Sequence, residues 1–265
     1  MALKKYEETD VSAIASAIRE KTGGDKTYKV SQMPDGVNAV YEAGKKAEHD
    51  AFWDAFQYYG ARHDYRYCFS RGNFSKDTFY PKYDIVLKDS NSQVFYSFIG
   101  NRSTSEEPVW DLKARLEECG VVLDTSQATQ LDNMFAYGYF SVIPTIDLTG
   151  ITVGGGDNQV FAYCWYRLVT IEKLIVKESN KYYRMFQNDN GLKNITFEGV
   201  IGNDIDFQYS TNLTKASIES IMSHLSQTAT FTVTLSQTAV NNAFTTDEWQ
   251  ALINAKPVNV TVSLV

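Results

Sequence analysis

Apolar residues along this chain recur with two different periods, and the change between them falls near residue 60. Before it, Val11, Ile14, Ala15 and Ile18 stand at helical spacing behind Asp10 and Ser12, both suited to an N-cap, and the pattern stops at Gly23-Gly24. A second helix is predicted from Ser31-Gln32-Met33-Pro34-Asp35, where Pro and Asp suit a first turn. It continues through Val37, Val40, Gly44, Ala47, Ala51, Phe52, Ala55 and Phe56 to about Tyr59. A helix of ~25 residues would be ~37 Å long. Its stripe of small residues is too irregular for a strict heptad, and packs either on the following domain or on copies of itself in a short parallel bundle.

From about residue 61 the pattern shortens to β-rich runs between polar turns, and the runs repeat. Ser92-Gln93-Val94-Phe95-Tyr96 echoes Asn158-Gln159-Val160-Phe161-Ala162, and Asn133-Met134-Phe135-Ala136 and Arg184-Met185-Phe186 are further copies. Phe95, Phe135, Phe161 and Phe186 are separated by 40, 26 and 25 residues. An inserted helix accounts for the long interval, with Ser105 as its expected cap, Trp110, Leu112 and Leu116 as its apolar face and Gly120 as its stop. After the last three phenylalanines come the short strands Ile146-Asp147-Leu148, Leu174-Ile175-Val176 and Ile195-Thr196-Phe197. A unit of one strand, one buried ring and one turn cannot cover its own apolar face, whereas stacked copies can. The pattern therefore predicts an α/β solenoid with a parallel sheet along one side, preceded by N-terminal helices.

The period breaks after residue 212. Thr214 caps a predicted helix with Ile218, Ile221, Met222 and Leu225 on one face. Phe231-Thr232-Val233-Thr234-Leu235 alternates strictly, Thr246-Asp247-Glu248 opens a helix through Trp249, Leu252 and Ile253, and Val258, Val260, Val262 and Leu264 alternate with polar residues in a last strand. Such an atypical end closes the core of an array, and its final strand is an open edge for a neighbouring chain. The domain reading is residues 1–60 as a helical attachment and oligomerisation segment, 61–212 as the repeat domain and 213–265 as a C-terminal α/β cap.

Composition narrows the chemistry. The 265 residues carry a net charge of −7, which lacks the basic face of a phosphate-backbone binder. No apolar run reaches the ~18 residues of a membrane span. The start, Met1 to Glu8, turns acidic where a signal peptide would carry its apolar region. The expectation is therefore no nucleic acid and no membrane insertion. Cys68, Cys119 and Cys164 are odd in number and far apart, which suits free thiols better than a disulfide framework or a zinc site. His49, His63 and His224 are isolated from one another, and no nucleophile motif is present, so no cofactor, metal or catalytic residue is expected. Gly154-Gly155-Gly156-Asp157 reads as a flexible loop. Asp204-Ile205-Asp206 sets two carboxylates on one face of a strand with no partner visible in the sequence.

The segment Val122-Leu123-Asp124-Thr125-Ser126 through Asn133-Met134-Phe135 resembles the bacterial surface-antigen (BspA-like) type of leucine-rich repeat, with a Met-Phe pair, a small residue or Cys three later and an aliphatic residue about seven later. Phe161 is followed by Cys164 and Leu168, and Phe135 by Gly138 and Val142; the Phe186 unit departs, with Asp189 and Leu192, and the Phe95 unit is degenerate. Recognisable repeats cover roughly residues 80–210. Ile14 to Glu42, with Ala17-Ile18-Arg19-Glu20-Lys21-Thr22-Gly23 and Met33-Pro34-Asp35-Gly36, is similar to the openings of tail-associated proteins from phages and prophages of Gram-positive bacteria, and Tyr65 to Ile85 and Leu213 to Val265 are similar to regions found with these repeats. None of these motifs is catalytic.

The resemblance implies a non-enzymatic phage tail protein, of the fibre or baseplate, made in the host bacterial cytoplasm and residing in the virion. Residues 1–60 would hold it to other tail proteins as a homo-oligomer, a trimer being the expected assembly. The repeats would bind a host cell-surface glycan or protein as receptor. A bacterial surface adhesin with the same repeats is the alternative, and a glycan-active enzyme a third. The receptor-binding residues expected from the equivalent aromatic positions are Tyr137, Tyr139, Phe140, Tyr163, Trp165, Tyr166, Tyr182 and Tyr183. Rings in a row stack on sugar faces or form protein hot spots where they are exposed, and fill the core where they are not.

Overall fold

A computed structural model describes residues 79–90, 94–96, 98, 110–152, 159–164 and 167–265, together with Ser16. The helices expected over residues 1–60, Trp165, Tyr166 and the Gly154–Gly156 run lie outside the described residues. The chain divides into two units, Met1–Tyr58 and Tyr59–Val265. The described residues of the second form a mixed α/β unit with parallel sheets, one of them curled into a half-barrel, and four helices.

Ten strands are described: β1 Ile85–Ser90, β2 Trp110–Asp111, β3 Leu123–Gln130, β4 Phe140–Ile143, β5 Ile146–Asp147, β6 Thr170–Val176, β7 Asn194–Gly199, β8 Ile205–Phe207, β9 Phe231–Leu235 and β10 Val260–Leu264. The helices are α1 Leu112–Cys119, α2 Lys215–Ser223, α3 Gln237–Ala243 and α4 Thr246–Ala255. Every strand pairing is parallel, which a short hairpin turn cannot produce, so each strand must be reached by a crossover.

Successive turns of the chain lie side by side. Ile85 pairs with Leu123, Ile146 with Leu174, and Leu174 with Phe197. Between β3 and β5 the link is a side chain: Thr125 Oγ1 donates to Asp147 O at 2.9 Å and accepts from Asp147 N–H at 2.7 Å. The phenylalanines between the strands stack in the interior. Phe95 lies 5.3 Å from Phe135, Phe135 5.7 Å from Phe161, and Phe161 5.7 Å from Phe186, with planes within 13° of parallel. The stack continues to Phe207 at 4.4 Å, one ring beyond the series legible in the sequence. Phe79, Phe98, Trp110 and Phe140 cluster around Phe95, with Phe98 and Trp110 stacked at 4.8 Å.

The turns carrying Phe135, Phe161 and Phe186 share a backbone signature. Asn133, Gln159 and Arg184, two residues before each ring, and Tyr137, Tyr163 and Asn188, two after, all have positive φ between 53° and 62°. Non-glycine residues adopt this region rarely, so three matching pairs mark one recurrent turn. Amides of one turn donate to carbonyls of the next: Phe135 N–H to Val160 O at 2.8 Å, Tyr137 N–H to Ala162 O at 3.1 Å, Phe161 N–H to Met185 O at 3.2 Å and Tyr163 N–H to Gln187 O at 2.7 Å. Turn-to-turn bonding of this kind satisfies backbone that would otherwise be buried unpaired.

Two expectations change at α1. Its N-cap is Asp111, whose carboxylate accepts Ala114 N–H at 2.8 Å, not Ser105, which lies outside the described residues. Trp110 belongs to β2, paired with Phe140, while Leu112 and Leu116 are buried and Gly120 ends the helix in the left-handed region, as the pattern predicts. At the other end of the five-stranded sheet, α2 stands where a further strand would pair with β7. Ser217 Oγ accepts Ile195 N–H at 3.0 Å and donates to Lys193 O at 2.9 Å, and Ser220 Oγ accepts Phe197 N–H at 2.8 Å. Serine hydroxyls thus occupy the strand's edge groups without extending the sheet. Beyond α2 the chain makes the sheet β8–β9–β10, with α2 crossing from β8 to β9 and α3 and α4 from β9 to β10. The helix expected at Thr246 begins with Thr245 as its N-cap, in a reciprocal capping box with Glu248.

One buried polar group stands out in the Phe186 turn. Asp189 is fully buried; its Oδ1 accepts Cys164 N–H at 2.9 Å, while Oδ2 has no hydrogen-bond partner among the described residues. Burial pushes its carboxyl well above the usual aspartate value. Above the usual value the folded chain then holds a proton that the unfolded chain has lost, so this group's contribution to stability falls as pH rises towards the raised value. Asp189→Asn keeps an acceptor for Cys164 and cannot ionise. Thermal melts at pH 5 and pH 8 are expected to show the variant gaining on the wild type at the higher pH; equal curves at both would mean the carboxylate is stabilised there.

Candidate functional site

Alternation along two neighbouring strands builds the floor of a groove. In β8 and β9, Ile205, Phe207, Phe231, Val233 and Leu235 are buried, so the intervening residues turn to the opposite face. Register sets Ile205 beside Val233 and Asp206 beside Thr234. Asp204, Asp206, Thr232 and Thr234 therefore line one surface, and Tyr182, Tyr183, Arg184 and Gln187 from the Phe186 turn, with Gln208 and Tyr209, complete a groove of about 390 Å³.

The groove combines exposed rings with fixed polar groups. Tyr183 is 57% exposed and Tyr209 36%. The Arg184 guanidinium lies 4.9 Å from the Tyr183 ring centroid. Asp206 accepts Gln208 N–H at 2.8 Å and Gln208 Nε2 at 2.9 Å, and Asp204 accepts Thr232 N–H at 2.7 Å, so each carboxylate is held by the backbone next to it. Two carboxylates against one guanidinium leave the lining weakly acidic. The arrangement offers apolar ring faces together with acceptors, amides and hydroxyls, the mixture by which a concave site orients a polyhydroxylated ligand.

The eight aromatic residues expected to form one exposed row separate into distinct environments. Phe140 is fully buried against Phe95, Phe98, Phe135 and Trp110, and Tyr139 is 4% exposed beneath the Arg167 guanidinium, 3.6 Å from its ring centroid. Tyr182 is 2% exposed and contributes only to the groove wall. Buried rings cannot stack on a ligand, so these three leave the receptor-binding set. Tyr137 and Tyr163 are half-buried and stack on each other at 4.8 Å and 5°, with Tyr96 edge-on to Tyr137 at 5.5 Å. One face of each ring is used within the stack, and burial there raises the Tyr137 phenol above its ordinary value. Tyr163 Oη donates to Gln187 Oε1 at 3.1 Å, which joins this tyrosine row to the groove. Tyr183 is the one described member of the eight whose ring is mainly exposed.

Arg184, Gln187, Gln208, Tyr209, Thr232 and Thr234 escape a sequence reading. The alternation of Phe231–Leu235 already puts Thr232 and Thr234 on its outer face, and the Asp204–Asp206 pair is visible. What joins them is a pairing between strands separated by the whole of α2. Elsewhere, Cys164 is buried, its Sγ bonded to Phe135 O at 3.3 Å and its thiol pushed well up by burial, which leaves it unreactive. Among the described residues no group of three or more His, Cys, Asp or Glu is placed to hold a metal ion, and no helix is long and apolar enough to cross a membrane. Comparison with family models, with curated proteins and with solved structures finds no match for this chain.

Proposed function

We propose that this chain is a non-enzymatic receptor-binding protein of a phage or prophage tail, and that it recognises a host cell-surface glycan in the groove over β8 and β9. The observation that carries the reading is the groove itself, where the exposed rings of Tyr183 and Tyr209 flank carboxylates, amides and hydroxyls held in fixed positions. Sugars present apolar C–H faces and a rim of hydroxyls, and this lining answers both. The carboxylates are engaged by neighbouring N–H groups as acceptors, which suits orientation of a ligand. The recurrent turns, the stacked phenylalanines and the parallel strands support the surface-antigen type of leucine-rich-repeat solenoid as the finer description of the unit. Residues 1–60 attach the protein to other tail components, and weak single sites gain strength from repetition in the virion.

Tyr183→Ala tests the site with little risk to the fold, because the ring is mostly in solvent. A stacked ring contributes about 0.5–1.5 kcal/mol. Loss of about two- to tenfold in affinity for host wall polysaccharide is therefore expected on changing Tyr183, and a larger loss on changing Tyr209 as well. Unchanged binding of the double variant to whole cells or wall polysaccharide would remove the groove as the receptor site.

A further inference from the structure

Taking the groove over β8 and β9 as the receptor site, on which this inference rests, we propose that it selects a zwitterionic glycan. A protonated amino group of the sugar is set against Asp204 and Asp206, and an anionic substituent against Arg184. Rings and hydroxyls alone suit any sugar, whereas the charged residues of the lining narrow the class.

Opposite charges come from different parts of the groove and do not neutralise one another. Asp204 and Asp206 belong to the floor at β8, while Arg184 belongs to the Phe186 turn. The ion pairs among the described residues lie elsewhere, at Lys113, Arg115, Lys173 and Lys215, and none includes these three. The Arg184 guanidinium lies instead 4.9 Å from the centroid of the adjacent Tyr183 ring. A cation at this place is particular to this turn. The matching positive-φ positions, two residues before Phe135 and Phe161, hold the neutral Asn133 and Gln159. Arginine thus stands in the one of these three turns that borders the two carboxylates, without pairing with either.

The carboxylates keep capacity for a ligand. An ionised carboxylate offers about four acceptor sites. Asp206 uses two, for Gln208 N–H and Gln208 Nε2, and Asp204 uses one, for Thr232 N–H. These donors are neutral amides, so they fix the oxygens in place without cancelling either charge. An ammonium group supplies three N–H donors together with the missing positive charge. The exposed Tyr209 ring in the same lining also favours a cation over a neutral group, through its quadrupole. From the Phe186 turn, the planar fork of Arg184 matches a phosphate or carboxylate on the sugar. A neutral sugar would fill the groove and leave all three charges answered only by water.

Glucosamine 6-phosphate carries both groups on one ring. NMR titration of the full chain is expected to rank it ahead of N-acetylglucosamine 6-phosphate, which lacks the ammonium, and of glucosamine, which lacks the phosphate. At a solvent-facing site each charge is expected to change affinity by about 1.5- to fivefold. Asp204→Asn combined with Asp206→Asn should remove the advantage of the free amine and leave that of the phosphate, and Arg184→Gln should do the reverse. If the double variant does not fold, Asp204→Asn alone, the more exposed position, decides. Equal affinity for the three sugars, including none for any of them, or the same proportional loss for every sugar in each variant, would overturn the charge assignment. Wall polysaccharide separates this from the groove itself. If Tyr183→Ala with Tyr209→Ala weakens its binding while the three sugars bind alike, the groove stands and the zwitterionic ligand falls; if that double variant binds it unchanged, both fall.

Discussion

Phe161→Ala is expected to cost about 3–5 kcal/mol of folding stability. The ring is fully buried and sandwiched between Phe135 and Phe186, each 5.7 Å away and within 13° of parallel. Removing it withdraws the transfer free energy of a benzyl group and leaves a cavity that neither neighbour fills, because each is itself held by the next ring along, Phe95 on one side and Phe207 on the other. The backbone adds resistance to collapse. Phe161 N–H donates to Met185 O, and Gln159 and Tyr163 hold their positive φ values on either side. For a unit of this size the loss corresponds to a fall in Tm on the order of 6–20 °C. Urea unfolding followed by circular dichroism measures it. Phe161→Leu, which refills most of the volume, should recover the greater part; a loss under ~1 kcal/mol for Phe161→Ala would mean that the stack is not what holds the turns together.

Gly199→Ala should be almost as damaging, by about 2–4 kcal/mol, for a reason that involves no apolar burial. Gly199 ends β7 with φ of 94°, a conformation costing an L-residue ~1–2 kcal/mol. A Cβ there would also lie 1.9 Å from Val176 O, the backbone carbonyl of its own pairing partner in β6. The obstruction is main chain, so no rotamer change relieves it. The strands would have to part at their last register position and give up a hydrogen bond worth ~1 kcal/mol. Gly120→Ala is a useful contrast: φ is 67° and nothing lies within 4 Å, so only the conformational term applies. If the two variants melt together, the close approach at Val176 carries no weight.

Much of the parallel α/β unit is legible before any coordinates. The intervals between Phe135, Phe161 and Phe186, and the short aliphatic runs after them, already require a ring inside and a strand beside its predecessor, because one unit of that length cannot bury its own apolar face. The strict alternation of Phe231–Leu235 and the helical spacing of Ile218, Ile221 and Met222 place the last elements with similar economy, since period alone decides which side chains share a face. Other features are silent in the sequence. Ser217 and Ser220 look like ordinary helix residues until their hydroxyls are found on the edge of β7. Asp111 outcompetes the expected Ser105 as a cap because β2 ends immediately before the helix.

The aromatic residues show the same division. Periodicity along the chain determined that the phenylalanines form an interior series, that the strands beside them are parallel, and that the end of the chain differs from its middle. All of these depend on spacing between neighbours in sequence, which the linear order contains. Whether a given tyrosine faces core, neighbour or solvent was decided only by the tertiary structure. Tyr139 lies under Arg167, Tyr137 and Tyr163 each turn one face to the other, and Tyr183 alone of the described set stands mainly in water, in a groove it lines together with Asp204 and Asp206. Exposure and the meeting of β8 with β9 are set by which surfaces pack together across α2, and that is a property of the folded packing which no local pattern of residues encodes.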